Sequence, residues 1–557
     1  MTALEFRGPS NVADLVRDAA TDHPAKTALV FQGKATTYAE LDDRVDLTAA
    51  ALAGLGVRKG DRVALLIGNV PEFVTGLYGG LRAGAVVCPL NILLTGEELG
   101  YILADAGAKV AITELGSLQS LLDARGRLPD LETIVVIGGP PAPPGTVSLE
   151  EAVQSEAEPP QVSTGPEDVA VIAYTAGTTA EPKGAVLSHR NLLANLDQMD
   201  SVPDLAMVPD DVILLVLPMF HIYALNVLLG LTVKNAATAV LLERFDPLES
   251  LRLVERQGVS VLFGAPPMFS GWLSLAESGS EMPDLSTVRL AVSGASALDG
   301  HVLEAFRDRF GITIWEGYGL TEAAPAVTTN AIGPVAKPGS IGLPIPGVEV
   351  RLVDETGEDV EEDDPGEVWV RGDNVFSGYW NRPEETSRVL EGGWLKTGDI
   401  AYRDEDGYLF IVDRKKDLII VSGFNVFPKE VEDAIERHPR VAEAAVVGVP
   451  DERTGEAVQA WVVPVEGASL TQDDVLEHLR PYLARFKWPR DVHIVEELPH
   501  HVTGKVLRRM LRGEEPESPA GGAVEPSPDS TAHDEPSSEP EDREEPPDGV
   551  EPPPEVS

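Results

Sequence analysis

Tyr174-Thr175-Ala176-Gly177-Thr178-Thr179-Ala180-Glu181-Pro182-Lys183-Gly184-Ala185 is the stretch on which the reading of the fold turns. The run from Val169 to Ala173 ahead of it is wholly apolar, as expected of a buried strand. Three hydroxyls (Thr175, Thr178, Thr179) then come together with Gly177, Pro182, Lys183 and Gly184. Small residues let a backbone approach an anion closely, and exposed amides, hydroxyls and one lysine can wrap phosphate oxygens. The spacing is not that of the G-x-x-x-x-G-K-[ST] loop, because glycine follows the lysine. Taken alone, the stretch also suits an ordinary surface turn between a strand and a helix, so the surrounding sequence has to decide.

Strand and helix signals alternate outward from this loop. Upstream, helices are expected over 11–22, 37–55, 70–83 and 95–106, and strands over 26–31, 63–67, 85–89 and 110–112. Thr37 and Glu40 form a capping-box pattern. Downstream, strands are expected over 212–217, 239–242, 259–263 and 290–293. This alternation predicts an α/β fold, a mostly parallel sheet with helices on its faces. From Val348 the signal changes to short alternating strands (349–353, 367–370, 408–411) between Gly, Asp and Pro turns, which suits a small antiparallel sheet or barrel. The charged joint Asp413-Arg414-Lys415-Lys416-Asp417 leads into a compact α+β unit. Strands are expected there over 418–421, 441–449 and 457–464, and helices over 428–438 and 471–483. Residues 513–557 are Glu, Asp, Pro and Ser with almost no large apolar side chain, and are expected to be a disordered acidic, Pro-rich tail.

Composition narrows the function classes. With 557 residues, 43% of them hydrophobic, the chain can bury a large core. A net charge of −47 argues against nucleic acid as a partner and against electrostatic docking on anionic lipid. Cys88 is the single cysteine, which excludes an internal disulfide and suits a reducing compartment. Residues 1–10 carry neither a basic nor an apolar leader pattern, so a cytoplasmic protein is expected. Residues 212–233 approach the length of a bilayer crossing. However, Pro218 and His221 interrupt the run and no Lys or Arg cluster flanks it, so a buried strand, a proline turn and a core helix are expected.

The opening stretch resembles, position for position, the phosphate loop of the adenylate-forming enzymes: acyl-CoA synthetases, 4-coumarate-type and other aryl-CoA ligases, luciferases and adenylation domains. The family usually has Ser at position 176 and Gly at 180; here both are Ala. Further matches follow in the family's order up to Arg512. Glu316-Gly317-Tyr318-Gly319-Leu320-Thr321-Glu322 resembles the second nucleotide motif. The resemblance implies that its aromatic ring would stack on adenine, its threonine meet phosphate and its glutamate bind Mg²⁺, with Thr175 as a further metal ligand. Thr397-Gly398-Asp399 is similar to the ribose motif, in which the aspartate accepts both hydroxyls, and Arg414 would reach ribose or phosphate as a fixed cation. Lys416 occupies the hinge position. Ser422-Gly423-Phe424 resembles the start of the loop that lines the pantetheine tunnel of CoA ligases. Thr503-Gly504-Lys505 resembles the catalytic-lysine motif. Pro218 to Asn226 is close to the segment lining the acid pocket, with His221 near the reacting carboxylate and Tyr223 as a wall. Phe263-Gly264-Ala265 and Gly294-Ala295-Ser296 resemble further pocket and adenine segments, and Asn226, Gly317, Leu320 and Pro325 complete the pocket that the resemblance implies.

The resemblance implies a large N-terminal domain, 1–412, of stacked α/β layers with a small β-barrel. A hinge at 413–417 and a small mobile C-terminal domain at 418–512 would follow. It implies ATP, Mg²⁺ and coenzyme A as cofactor and co-substrates, a carboxylic acid as substrate, no nucleic-acid partner, no transmembrane segment, and a homodimer as one admissible assembly. Within the family, a fatty acyl-CoA synthetase is the leading expectation and an aryl or cinnamate-type ligase the alternative. A carrier-loading enzyme fits less well, because no insertion lies between Tyr318 and Thr397. A non-catalytic binding protein on the same fold is encouraged only by Ala176 and Ala180, and opposed by Tyr318, Glu322, Asp399, Arg414 and Lys505 together.

Overall fold

A computed structural model describes residues 10–139, 141–154, 158–175, 182–279, 282–361, 364–414, 417, 419–421, 424–451, 455–483, 485–500 and 506–512. All of these fall within one of the chain's two units, Met1–Glu515. Ala176, Gly177, Thr178, Thr179, Lys416, Ser422, Gly423 and Lys505, and the tail 513–557, lie outside the described residues.

Two large sheets dominate. The first has eight strands in the order Gly378–Tyr379, Lys183–Ser188, Val169–Thr175, Val86–Pro89, Arg62–Leu66, Ala108–Glu114, Thr133–Ile137 and Val147–Ser148. The second has nine, in the order Leu343–Pro344, Ala326–Thr329, Ile314–Gly319, Leu290–Ser293, Val261–Gly264, Val212–Leu215, Thr238–Leu241, Thr27–Phe31 and Lys34–Thr37. Both are parallel through their middles; the first turns antiparallel at one edge and the second at both.

Successive residues of a strand point to opposite faces, and the core follows that rule. Val63 and Leu65 enter one apolar cluster, while Ala64 and Leu66 enter another. In the second sheet Ile213 and Leu215 join the first of these clusters, while Leu214 and Val216 join a third with Trp272 and Phe306. The shared cluster is therefore the middle layer between the sheets. Helices Tyr38–Gly54, Pro71–Arg82 and His189–Asp200 supply much of it. The result is a stack of helix, sheet, helix, sheet and helix, in keeping with the expected stacked α/β layers. Truncating a fully buried member such as Leu65 to Ala would cost about 2–5 kcal/mol.

Local signals explain several element boundaries. Thr37 caps Tyr38–Gly54, with both arms of the capping box to Glu40 formed. Thr95 and Glu98 do the same for Gly96–Ala106. After Val212–Leu215 and the Pro218 turn, the expected core helix begins as a π-helix over Tyr223–Gly230 and becomes α over Leu231–Lys234. Among the described residues no helix is long and apolar enough to cross a membrane.

The third sheet, from Glu349–Val353, Gly366–Arg371, Trp394–Arg403, Leu390–Glu391 and Leu409–Arg414, is antiparallel and stands where the small barrel was expected, as a half-barrel. A smaller C-terminal domain has its own five-stranded sheet and its own core around Ile435, Val446 and Val475. One element departs from the sequence reading: the phosphate-loop stretch is followed by a strand, Lys183–Ser188, before the helix. The apolar run Ala185-Val186-Leu187 is too short, so close to Pro182 and Gly184, to stand out as a strand by pattern.

Candidate active site

The two strands around the loop form an antiparallel hairpin in which Thr175 lies opposite Lys183. Gly184 is required by contact. A Cβ there would sit 2.6 Å from a methyl of Ile172 and 3.1 Å from Cζ of Tyr174. Gly378–Tyr379 pairs along the other edge of Lys183–Ser188, with Tyr379 opposite Ala185. That register brings Lys183 Nζ 5.6 Å over the Tyr379 ring, and the same ammonium pairs with Glu385. The Tyr379 hydroxyl donates to Glu322 Oε1 at 2.6 Å. Burial first, and then the Glu322 carboxylate, push the Tyr379 phenol well up from its ordinary value, so it remains a neutral donor. Lys183 and Glu322, read from separate motifs, thus meet on two sides of one tyrosine.

Tyr318 and Asp399 also meet. The Tyr318 hydroxyl donates to Asp399 Oδ2 at 2.5 Å. Asp399 is buried, its amide donates to Thr397 Oγ1, and its backbone pairs in register with Arg414. Thr321 and Glu322 lie in a single 3-10 turn, Thr321–Ala323, directly after the strand that carries Tyr318. Gly319 has no room for a side chain, since a Cβ would fall 2.3 Å from the Pro325 oxygen; at Gly317 it would meet the Thr328 oxygen at 3.2 Å. Leu320 donates its amide to that same Pro325 oxygen. In or beside these motif segments two alanines sit at left-handed φ, Ala295 at 75° and Ala324 at 63°. Each costs on the order of 1–3 kcal/mol, the kind of local strain that gathers at functional sites.

Glu316 is buried, and burial pushes its carboxyl up to about 7 against the pull of the Leu298 and Gly339 amides. Its Oε2, together with Ser293 Oγ and Tyr223 Oη, is buried with no hydrogen-bond partner among the described residues. These atoms fit a site built to meet polar groups of a ligand.

On the acid side, Tyr223 packs against Gly294, where a Cβ would lie 3.0 Å from its Cζ, and meets Phe263 edge-on at 6.1 Å. Burial pushes the Tyr223 phenol up as well. The His221 ring lies tilted against Phe220 with centroids 4.5 Å apart, two residues before the π-helix. Gly264 faces elsewhere: a Cβ there would press on Phe269 at 2.9 Å. Ala265 is buried as the N-cap of Pro266–Glu277, and Ser296 lies on the loop after Gly294 and Ala295. Asn226, expected in the pocket wall, donates instead to the carbonyls of Leu192 (3.1 Å) and Ala324 (2.7 Å). Phe424 begins a strand of the small domain's sheet, Phe424–Val426.

The sequence reading missed the amides that hold this site. Helix His189–Asp200 presents Asn195, whose Oδ1 accepts from Ala326 N–H and whose Nδ2 donates to the Ala326 carbonyl at 2.9 Å. Asn374 donates to Ala323 and Ala326 carbonyls, and Gln198 donates to Asn374. Asn191 holds Asp373 and Val375. The turn carrying Glu322 is thereby clamped from Asn195, Asn226 and Asn374. Asn69 holds the Pro218 turn, accepting from Met219 N–H and donating to Leu217. The one available signal was the Asn191, Asn195, Gln198 stripe at helical spacing. Tyr379 and Glu385 had no signal of their own.

The chain is similar to known proteins over most of its length. Residues 16–380 match the AMP-binding enzymes, and residues 430–505 match the AMP-binding enzyme C-terminal domain. The chain is 38% identical over 539 residues to a long-chain-fatty-acid–CoA ligase of Yersinia pestis, covering 91% of this chain and 94% of that one. It is 39% identical over 491 residues to a feruloyl-CoA synthase of Amycolatopsis sp, covering 88% and 96%. Among solved structures, ATP-bound MatB from Rhodopseudomonas palustris superimposes with a TM-score of 0.82 at 34% identity, covering 90% of this chain and 98% of that one.

Proposed function

The chain belongs to the AMP-binding enzyme family, and we propose that within it this protein is an AMP-forming acid–thiol ligase. It uses ATP to activate a fatty acid as the acyl-adenylate and then passes the acyl group to coenzyme A. The observation that carries this reading is the near-full-length likeness to a long-chain-fatty-acid–CoA ligase in a chain that keeps Lys183, Tyr318, Glu322 and Asp399 together in two meeting pairs.

A carboxylate resists attack by a thiol because its leaving group would be oxide. In the first half-reaction a carboxylate oxygen attacks the α-phosphorus and pyrophosphate departs. Tyr318 offers a ring face to adenine, Asp399 receives the ribose hydroxyls, and Lys183 meets the phosphates. Lys505 stabilises the charge that grows at the α-phosphate. Magnesium fits the oxygen donors present, the Glu322 carboxylate and the Thr175 hydroxyl beside substrate phosphates. Among the described residues no group of three His, Cys, Asp or Glu forms a competing cage. When bound, the ion neutralises phosphate charge. His221 and Tyr223 set the reacting carboxylate at the mouth of an apolar pocket. In the second half-reaction the coenzyme A thiolate attacks the adenylate carbonyl and AMP leaves with the bonding pair. For this we propose that 418–512 turns about a hinge at 413–417, with Lys416 absorbing the change, and brings the loop from Ser422 to Phe424 to the site while Lys505 withdraws.

The test is coenzyme A-dependent AMP release over short, medium, long and aromatic acids. Turnover greatest with a long-chain acid is the expected result; greater turnover with amino acids or dicarboxylates would overturn the acid assignment. Preference for a cinnamate-type acid would establish the second reading, which the likeness to a feruloyl-CoA synthase supports.

A further inference from the structure

We propose that Tyr379 is a positioning residue for the metal-bound nucleotide: its hydroxyl fixes which oxygen of Glu322 faces the cation, while its ring keeps Lys183 over the phosphate path. The inference rests on the reading of Glu322 as the magnesium carboxylate.

Tyr379 is unusually well held. Its strand pairs with Lys183–Ser188, so backbone register sets its distance from Lys183. Its amide donates to Thr386 Oγ1 at 2.9 Å, and the following amide, Trp380 N–H, donates to the Gly184 carbonyl at 2.7 Å. Phe376 braces its ring edge-on at 5.0 Å. From this frame the hydroxyl reaches Glu322 Oε1 at 2.6 Å, and Phe376 N–H binds the Glu322 carbonyl at 2.8 Å. Segment 376–379 therefore grips Glu322 by both side chain and backbone. A carboxylate with one oxygen engaged by a rigid donor cannot swivel, and presents its other oxygen in one direction. Partners of this kind around a metal ligand typically govern affinity by roughly 10- to 100-fold. The ring contributes separately, since a cation over an aromatic face is held by the ring's quadrupole. Lys183 also pairs with Glu385, which Arg382 faces at 3.7 Å.

The experiment measures Mn²⁺ affinity by electron paramagnetic resonance, on the full chain saturated with a non-hydrolysable ATP analogue. It compares wild type, Tyr379→Phe and Tyr38→Phe. Tyr379→Phe keeps the ring and removes only the hydroxyl. Tyr38→Phe removes another buried hydroxyl, bonded to the Ala237 carbonyl at 2.6 Å, away from Glu322. The expected result is weakening on the order of 10-fold in Tyr379→Phe, with Tyr38→Phe matching wild type. Equal affinity in wild type and Tyr379→Phe would overturn the positioning role and leave the enzyme assignment standing. Equal weakening in both variants would also overturn it, by showing a general loss of packing. Failure of wild type to bind the metal with the analogue would overturn both the positioning role and the nucleotide reading beneath it.

Discussion

Glu316 makes a single-residue argument that pH can test. Its ordinary carboxyl value is 4.5, and burial raises it to about 7 in the folded chain. The folded state therefore holds a proton that the unfolded state has released between those values. Its stabilising contribution is complete below about 4.5 and is lost as pH rises through about 7, the reverse of a salt-bridged carboxylate. At about 1.4 kcal/mol per pKa unit, the full swing is on the order of 3 kcal/mol. Glu316→Gln cannot titrate. Denaturation of wild type and variant between pH 4.5 and 7.5 should show wild type losing stability relative to the glutamine variant as pH rises. A constant difference, or one of opposite sign, would show that Glu316 is solvated or charge-paired. The buried environment of this residue was not legible in Glu316-Gly317-Tyr318; only its membership of the motif was.

At the scale of elements, helix His189–Asp200 acts as a clamp rather than as a spacer between strands. Asn195 satisfies both the N–H and the carbonyl of Ala326, across 131 residues of sequence. Asn195→Ala should leave these buried groups short of partners and cost about 1–3 kcal/mol. Urea denaturation of the variant against wild type measures this, and a change below about 0.5 kcal/mol would mean that Asn374 or solvent replaces the lost bonds. This element also shows where sequence reasoning stops. Thr175, Lys183, Tyr318, Glu322 and Asp399 were legible because each motif carries its chemistry within a few neighbouring residues. The Tyr379–Glu322 bond spans 57 residues and the Asn195 clamp more than twice that, so no local pattern marks them. An unbroken apolar run gave the buried strands, as at Val63 to Leu66, because residues on both faces had to serve two cores at once. It did not give the strand Lys183–Ser188, whose stability comes from its neighbours on both edges.

At the scale of the whole molecule, the proposed chemistry asks one chain to serve two unlike reactions at one substrate carbon. Adenylation develops charge at the α-phosphate and needs a cation there; thioester formation needs an open path for a thiol. A single fixed arrangement serves both poorly, because a cation seated at the phosphate also fills the approach. In the proposed mechanism Lys505, in the stretch that matches the AMP-binding enzyme C-terminal domain, would resolve this by turning with that domain between steps. Loss of one well-placed electrostatic stabiliser typically lowers a rate by about 10²–10³. Lys505→Ala should therefore lower pyrophosphate release from acid and ATP by that factor or more. Transfer to coenzyme A from synthetic acyl-adenylate should remain largely intact, because in the proposed turn Lys505 has withdrawn by then. Single-turnover measurement of each half-reaction on the purified variant decides. An equal fall in both steps would make Lys505 a structural residue or remove the need for a turning domain. No fall in either would mean that the cation at the α-phosphate is another residue, and Lys183, already beside Glu322 through Tyr379, would be the next to replace.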